Sequence, residues 1–532
     1  MISTLELFRQ GRKEEIWSRH WGFLDLSIEE FMEIQNRLLL EQIDLVYDSK
    51  IGQAIMGKHK PQSVNEFRDQ VPLTTYKDYA PFLSERKTDA LSFQPHVWAR
   101  TSGRSDYSGI KWLPYTKEMY SRFGEQTVGG MILSAASFKG DIQIEEGDIF
   151  LLATAPPPYS SGINSRSLQE TFPVRFLPSL DKGEQMDFSK RLETGFNSAL
   201  DVGLDYFYGL SSVLAKMGEH FENGTNERKF SSHMLKPGVI SRMLKAVTKA
   251  KFAKRGLLPK DIWKLKGVMA GGTDAKIYQE RIEHYWGKKP LEGYACTEGL
   301  AIATQTMNYK DMTFFPDIDF LEFIPKDEHF KSKQIPGYQP KTLLLDELKP
   351  GVYELVFTNF RGGVLLRYRV GDLFEVVSLK DEEQNINLPQ VRFYSRADDI
   401  IDIGGLMVFT ESLIWQAIEA ANINYEDWVA RKEFHNNEQV VHLYIEPKMG
   451  QPIKEGELKE QVINGFEQVS PEYVDMQNIV RYKSIAVSLL QPGSFANYMD
   501  YQRQAGADMA HIKPPHMQPT ELSMKHLAGG MK

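Results

Sequence analysis

The chain has 532 residues, more than one hydrophobic core usually supports, so its length predicts at least two domains. Hydrophobic residues make up 42% and charged residues 25% of it, which excludes intrinsic disorder as the default state. The 63 basic and 71 acidic side chains give a net charge of -8, which disfavours nucleic acid or an anionic membrane as the main partner.

Cysteine usage and the N-terminal sequence point to the cytoplasm. Cys296 is the single cysteine, so no intramolecular disulfide can form, and no cysteine and histidine set has the spacing typical of zinc sites. The first residues lack the regions of a signal peptide, and no apolar run is long enough to span a membrane. We therefore predict a cytoplasmic protein, by default a monomer, that acts on small molecules.

The predicted elements change in type along the chain. The first hundred residues should be helical, since apolar residues such as Leu39 and Ile43 recur at three- and four-residue spacing. Short apolar runs at 149–155 and 267–272 then alternate with helical stretches, the pattern of an α/β domain. Between residues 314 and 377, closely spaced strands such as FLEFIP and KTLLLDEL predict a mostly antiparallel sheet or small barrel.

The run RADDIIDIGG, which starts at Arg396, predicts a domain boundary between residues 397 and 398. The fold class is therefore α/β, with a large N-terminal domain (1–397) that includes the barrel-like strands and a smaller α+β C-terminal domain (398–532). The elements predicted in the smaller domain are a helix at 411–421, a strand at 439–445, a helix at 455–469 and strands within 479–490.

The first motif that could carry chemistry is TSGRSDYSGIK, from Thr101 to Lys111. Its hydroxyls, glycines and lysine are what a loop needs to surround phosphate oxygens. It is not a Walker A sequence, because Lys111 lies between Ile110 and Trp112 rather than in a GKS or GKT step. By itself the stretch is more typical of a plain surface loop with a solvated Lys111.

Two further motifs follow strand-like runs. Gly271 and Gly272 precede a helix, where glycine allows a flat group such as a purine to approach the backbone, although a tight turn explains them equally well. In YACTEG, Thr297 and Glu298 set a hydroxyl beside a carboxylate, and a carboxylate suits Mg²⁺ next to a triphosphate. A surface glutamate is the alternative. Cys296 has no histidine nearby in sequence to activate it as a nucleophile.

RYRVGD ends an apolar, aromatic strand with Asp372, whose carboxylate could accept both hydroxyls of a ribose. In isolation, a turn aspartate paired with Arg367 or Arg369 is favoured. Lys513 precedes two prolines that stiffen its segment, so a placed cation and an ordinary tail lysine both fit.

Two remaining groups have an ordinary interpretation. Asp317 and Asp319 are two residues apart on a predicted strand. Two carboxylates on a solvent-exposed strand face are favoured there over a paired general acid and base. The basic run from Lys245 to Arg255 is interpreted as a solvated helix face rather than an RNA or lipid contact.

Together, and in this order, the motifs resemble the acyl-acid amido synthetases, within the acyl-adenylate-forming superfamily. That family is best known from plant auxin-responsive enzymes that conjugate jasmonate, auxin or benzoates to amino acids, and it has bacterial relatives. TSGRS is similar to the family's SSGTS, YACTEG to YxSSE, LLRYRVGD to YRYRVGD, and the segment ending in IKPP to Gln-x-Lys-x-Pro-Arg. The chain departs at Thr101 and Arg104, where the family has serine and threonine, and at His516, where it has arginine.

The resemblance implies a large domain that binds ATP and the acyl acid, and a mobile C-terminal cap. It implies adenylation of a small carboxylic acid with Mg·ATP, followed by transfer of the acyl group to an amine, such as an amino acid. Thr297 and Lys513 would be catalytic, and Glu298 would be the magnesium ligand. The residues implied to bind ATP are Thr101, Ser102, Gly103, Ser105, Gly271, Gly272, Tyr294, Asp372 and Arg396.

Two other functions stay open. The acyl group could pass to a thiol, such as coenzyme A or a carrier protein, after the same adenylation step. The altered TSGRS loop could also belong to a scaffold that binds nucleotide without turnover. The sequence identifies neither the acid nor the acceptor.

Overall fold

The computed structural model describes residues 2–101, 110–223, 237–271, 275–335, 337–397, 399–403, 407–435, 438–448, 454–480, 484–504 and 515–527. The chain divides into two compact units, which we call the large unit (Met1–Val370 and Phe374–Phe393) and the small unit (Gly371–Leu373 and Tyr394–Lys532). Within the described residues, no helix is long and apolar enough to cross a membrane.

The helices of the large unit are α1 (Thr4–Arg9), α2 (Lys13–Trp21), α3 (Ile28–Val46), α4 (Lys50–Met56), α5 (Val64–Gln70), α6 (Tyr76–Leu83), α7 (Lys117–Ala135), α8 (Ser160–Thr171), α9 (Leu180–Gly183), α10 (Phe188–Val202), α11 (Ser211–Asn223), α12 (Pro237–Phe252), α13 (Pro259–Ile262), α14 (Ala275–Trp286) and α15 (Lys326–Gln334). Those of the small unit are α16 (Glu411–Ala420), α17 (Glu455–Val469), α18 (Pro471–Val480), α19 (Ser494–Gln504) and α20 (Glu521–Leu527).

The strands are β1 (Val97–Arg100), β2 (Trp112–Tyr115), β3 (Ile149–Leu152), β4 (Arg175–Leu177), β5 (Tyr206–Leu210), β6 (Gly267–Gly271), β7 (Leu291–Cys296), β8 (Leu300–Gln305), β9 (Met312–Phe314), β10 (Asp319–Pro325), β11 (Gly351–Asn359), β12 (Tyr368–Ser378) and β13 (Gln390–Arg396). They continue with β14 (Ile401–Ile403), β15 (Met407–Phe409), β16 (Tyr425–His435), β17 (Glu438–Pro447) and β18 (Ile485–Leu489).

One eleven-stranded sheet has the order β10-β11-β12-β13-β9-β8-β7-β6-β5-β3-β4. Strands β3 to β7 pair in parallel, as expected where helices connect them, whereas β7-β8, β8-β9 and β10-β11 pair antiparallel. The strands predicted as an antiparallel sheet or small barrel are therefore the antiparallel half of this sheet. The strand predicted for KTLLLDEL is wrong, because Leu345–Glu347 forms a 3-10 helix.

The predicted N-terminal helices are confirmed. In α3, Ser27 and Glu30 form a capping box, and Leu39, Ile43 and Val46 are all nearly fully buried along one face. Helix α7 is apolar on most sides because its first half packs into one hydrophobic core and its second half into another. The basic run lies on α12, where Lys245 and Lys249 are exposed as predicted.

The small unit contains a three-stranded sheet in which β16 pairs antiparallel and β18 parallel with the central β17. Its helices α16 and α17 and its strand β17 match the sequence predictions closely. Strand β16 was not predicted, since charged residues dominate its sequence and its buried residues Trp428, Val429 and Ala430 are consecutive, so it lacks the alternating pattern of a half-buried strand. The last predicted strand begins only at Ile485, because α18 extends to Val480.

Candidate functional site

The base of the predicted phosphate loop is closed by the hairpin of β1 and β2, in which Arg100 pairs with Trp112. Thr101 and Lys111 form the next pair towards the loop. The Thr101 amide donates to the Lys111 carbonyl at 3.0 Å, and the Lys111 amide donates to Thr101 Oγ1 at 3.3 Å. Both ends of the loop are thus held together. The predicted phosphate contacts Ser102, Gly103 and Ser105 lie outside the described residues.

Lys111 is buried, with only 5% of its surface exposed, so the solvated lysine predicted from the local sequence is wrong. Its Nζ donates to Glu298 Oε1 and to the Tyr368 hydroxyl, each at 3.0 Å. The ammonium also lies 5.7 Å from the ring centroids of Tyr76 and Tyr368. The tertiary fold therefore joins the end of the phosphate loop to the carboxylate predicted to bind magnesium.

Glu298 lies in the tight turn between β7 and β8. Its residue is 7% exposed, and its carbonyl accepts a hydrogen bond from Asn359 Nδ2 at 2.9 Å. Leu300 has a φ of +59°, an uncommon conformation for a bulky residue, and a Cβ at Gly299 would lie 2.8 Å from Asp319 Oδ2. The turn is fixed from both sides, and the fixed backbone sets the direction of the Glu298 carboxylate.

Thr297 is held just before this turn. Its carbonyl accepts a hydrogen bond from the Tyr115 hydroxyl at 2.6 Å, and its own hydroxyl lies 3.3 Å from Ser160 Oγ at the start of α8. Burial raises the pKa of the Tyr115 phenol, so this phenol stays a hydrogen-bond donor. Ser160 was missed by sequence reasoning, although two consecutive serines after a proline run were a signal for a helix start with hydroxyls.

The pKa values of the neighbouring carboxyls Asp317 and Asp319 are shifted in opposite directions. Burial raises the pKa of Asp317, but Arg122 and Arg361 outweigh it and lower that pKa to about 2. Burial raises the pKa of Asp319 well above its ordinary range, and its hydrogen bond from Asn359 offsets this only in part. The predicted solvated face is wrong for Asp319, which is 1% exposed.

Gly271 and Tyr294 lie at neighbouring strand ends, since β6 pairs with β7. Among the described residues, a Cβ built on Gly271 would meet only the Gly293 carbonyl oxygen, at 3.6 Å. Tyr294 packs edge-on against Phe374 and stacks at 6.1 Å on Phe393, so its ring orientation is set by the sheet. Gly272 lies outside the described residues.

In the small unit, the structure brings two predicted nucleotide-binding residues together. Arg396 Nε lies 3.4 Å from Asp372 Oδ1. The predicted alternative, a pair between Asp372 and Arg367 or Arg369, is wrong, because both arginines pair with buried carboxylates of the large unit. Those carboxylates belong to Glu322 and Glu354.

Lys513 lies outside the described residues, but the chain is anchored three residues later. His516 is buried, with Nδ1 at 2.5 Å from Glu411 Oε1 and Nε2 at 2.8 Å from Asp427 Oδ1. Its ring stacks on Trp428 at 4.7 Å. Burial lowers the pKa of His516, but the two carboxylates outweigh it and raise that pKa to about 10. A histidine cation thus stands where the resembling family has arginine.

Known proteins share both sequence and fold with the chain. The GH3 family N-terminal domain matches residues 22–172, and the GH3 family central domain matches residues 312–396. The structure of AtGH3.15 acyl acid amido synthetase in complex with 2,4-DB aligns with a TM-score of 0.66 and 16% identity, covering 97% of this chain and 96% of that one.

A second solved structure, 2-hydroxyisobutyryl-CoA ligase in the postadenylation state in complex with R3-HIB-AMP, aligns with a TM-score of 0.59 and 15% identity, covering 95% of this chain and 94% of that one. No curated protein sequence matches the chain. The N-terminal domain match precedes the central domain match in the chain, and Lys111, which pairs with Glu298, lies within the first of them. The chain therefore contains two domains that match GH3 family models, and it shares its fold with an acyl acid amido synthetase and a CoA ligase.

Proposed function

We propose that the protein is an ATP-dependent acyl-acid amido synthetase, an AMP-forming ligase. The carboxylate of a small acid attacks the α-phosphorus of ATP and pyrophosphate leaves; an amine, here an amino acid, then attacks the acyl carbon and AMP leaves. The observation that carries this proposal is the buried pair of Lys111 and Glu298 at the closed base of the phosphate loop, in a GH3 chain. The fold shared with AtGH3.15 acyl acid amido synthetase supports it.

Glu298 is the residue whose chemistry suits magnesium. Mg²⁺ takes oxygen ligands and is usually held by one or two carboxylates together with substrate phosphates, whose charge it neutralises. In the structure Lys111 Nζ balances the Glu298 carboxylate at 3.0 Å. If Glu298 held Mg²⁺, the Lys111 ammonium would be free to pair with phosphate oxygens. The two residues thus exchange partners rather than leave a charge buried alone.

The adenosine part of ATP has candidate partners among the motif residues. We assign the ribose hydroxyls to Asp372, oriented by Arg396 at 3.4 Å. We assign the purine to Gly271 and Tyr294. Since a Cβ at Gly271 would meet only an ordinary contact at 3.6 Å, protein packing does not require the glycine there, whereas a flat ligand against the strand end would.

The reacting phosphate has candidate partners around the loop. Thr297, with its hydroxyl 3.3 Å from Ser160 Oγ, is proposed to lie beside the α-phosphate, and Thr101 shapes the base of the loop. Lys513 is proposed to neutralise charge that develops on that phosphate during adenylation. The remaining proposed phosphate and purine contacts, which rest on the sequence, are Ser102, Gly103, Ser105 and Gly272.

We also propose that residues 1–397 form the domain for ATP and the acyl acid and that residues 398–532 form the cap. A cytoplasmic location and a monomeric state complete the proposal. They rest on the composition and on the single cysteine.

The test is release of pyrophosphate from Mg·ATP with a library of aryl, indole, fatty and amino acids, each with and without mixed amino acids. Wild type is expected to release pyrophosphate with at least one acid. Lys513→Ala should lower that rate by about 10²- to 10³-fold, the usual loss for one preorganised charge partner. Lys525→Ala, which removes an exposed lysine of α20, is the matched control and should leave the rate unchanged. An unchanged rate in Lys513→Ala rejects the lysine assignment.

The acceptor is decided by offering amines and thiols to the same adenylated acid. An amide product supports the proposal, whereas a thioester with coenzyme A would favour the ligase alternative, whose fold the 2-hydroxyisobutyryl-CoA ligase shares. ATP binding without pyrophosphate release across the whole acid library would instead support the scaffold alternative.

A further inference from the structure

A cluster of one carboxylate and two histidines lies in the small unit and includes none of the residues assigned above. Glu433 and His435 are two residues apart on β16, so they share one face with Arg431. His442, on β17, is the register partner of Arg431, so its side chain lies on the same face. Glu433 Oε2 lies 2.7 Å from His442 Nδ1 and 3.5 Å from His435 Nε2. All three candidate ligand atoms lie within 4.8 Å of one another.

The other polar atoms of Glu433 and His442 are held by neighbours. Glu433 Oε1 accepts a hydrogen bond from the Tyr444 hydroxyl at 2.8 Å and lies 3.3 Å from Arg431 Nε. His442 Nε2 lies 3.0 Å from Ser488 Oγ, on the neighbouring strand β18. Metal-binding histidines and carboxylates are usually oriented in this way by a second hydrogen bond on the atom that does not bind the metal.

The Ser488 contact also permits the imidazole of His442 to change its bonding. A hydroxyl can donate or accept, so Ser488 can serve His442 Nε2 in either tautomer. Nδ1 can therefore give up its hydrogen bond with Glu433 and present a lone pair instead. Glu433 needs no new partner when it loses the hydrogen bond with His442, because its contacts with Tyr444 and Arg431 keep its carboxylate in place.

We propose that Glu433, His435 and His442 form a binding site for one divalent transition-metal ion of the zinc type. Two imidazoles and one carboxylate suit zinc and its neighbours in the first transition row, whereas magnesium prefers oxygen ligands alone. The His435 side chain is 48% exposed, which leaves the fourth position open to water. Since the ligands come from both strands of the β16 and β17 hairpin, the ion would cross-link the hairpin and stabilise the small unit.

The test is zinc binding to the full-length protein, stripped with chelator and studied by titration calorimetry in magnesium-containing buffer without ATP. Wild type should bind one equivalent of zinc and show a higher unfolding temperature with it. His435 is half-exposed, so His435→Ala should not disturb folding. This variant should weaken zinc binding by at least about 10- to 100-fold, the usual effect of changes in metal sites. Its unfolding temperature should no longer respond to zinc.

His59→Ala, which removes another exposed histidine, is the matched control and should bind zinc like wild type. Glu298→Gln should also retain zinc binding, which separates this site from the proposed magnesium site. Zinc binding that survives in His435→Ala, or that is lost in Glu298→Gln alone, overturns the proposal. So does a wild-type protein that takes up no zinc, which would leave the cluster as an ordinary hydrogen-bonded group.

Discussion

Each unit contains a buried cation, and the two are balanced differently. Lys111 in the large unit faces one carboxylate, that of Glu298, together with a phenol and two aromatic rings. His516 in the small unit faces two carboxylates, those of Glu411 and Asp427, and stacks on an indole. The first group pairs one cation with one carboxylate, which under the proposed function would exchange partners with Mg²⁺ and phosphate, whereas the second sets two carboxylates around one histidine, which raises the pKa of that histidine to about 10.

The difference has a simple physical origin. A buried charge without a partner is costly, so a cation that must move during a reaction needs a replacement for its partner. Lys111 and Glu298 would receive that replacement from Mg·ATP. His516 has no comparable exchange, and its role is to fix the chain three residues after Lys513. We therefore expect changes at the first pair to alter activity and changes at His516 to alter stability.

The largest expected effect is on stability at the first pair. Lys111→Met should lower the free energy of unfolding by about 3 to 5 kcal/mol without nucleotide, because the Glu298 carboxylate is left buried without its cation. Chemical denaturation monitored by tryptophan fluorescence measures this. The double variant Lys111→Met with Glu298→Gln should recover most of the loss, since neither charge remains. A double variant no more stable than Lys111→Met would show that the pair contributes little.

The next effect is on catalysis. Glu298→Gln should slow acid-dependent pyrophosphate release by about 10²- to 10³-fold, because one preorganised charged ligand of Mg·ATP is lost. Rates at increasing Mg²⁺ concentration measure it, and the requirement for Mg²⁺ should rise. Glu170→Gln, at a half-exposed carboxylate of α8 paired with Lys117, serves as the control and should keep wild-type activity. Equal losses in both variants would contradict a specific role for Glu298.

The third effect is a pH dependence of the small unit. The pKa of His516 is raised from 6.5 to about 10, so its contribution to stability is fully present below about pH 6.5 and is lost as the pH rises towards 10. The slope should not exceed about 1.4 kcal/mol per pH unit for one proton. Unfolding of wild type and His516→Gln between pH 6 and 10 measures it. The stability difference between the two should shrink with rising pH; a constant difference would exclude a charged His516.

The smallest effect is expected at Asp319. Burial raises the pKa of its carboxyl well above the ordinary range, which favours the protonated form, and asparagine has nearly the same shape. We therefore expect Asp319→Asn to change the free energy of unfolding by less than about 1 kcal/mol at pH 7. Asp317→Asn is the contrast, since it leaves Arg122 and Arg361 without their carboxylate. Denaturation of both variants side by side is the measurement. A larger loss in Asp319→Asn than in Asp317→Asn would mean that Asp319 is ionised.

Family and fold class could be predicted because they depend on local patterns. The order of TSGRS, YACTEG and RYRVGD identified the family, and the alternation of apolar runs with helices identified the α/β architecture; both are confirmed. Strand β16 could not be predicted, because its sequence is rich in charged residues, which are typical of exposed segments. In the structure most of these charged side chains are partly buried. The roles of Glu298, Asp372 and Lys513 stay predictions that the experiments above address.

The sequence by itself determined the helices with caps and apolar faces, the strand-rich segments, and the order of the motifs, since these follow from residues close together in the chain. Only the tertiary structure decided which charges meet. Lys111 and Glu298 are 187 positions apart, and His516 and Glu411 are 105 apart, so no local pattern reveals their contact. Burial then set their states, because the cost of desolvating a charge depends on the whole surrounding core and not on its neighbours in sequence.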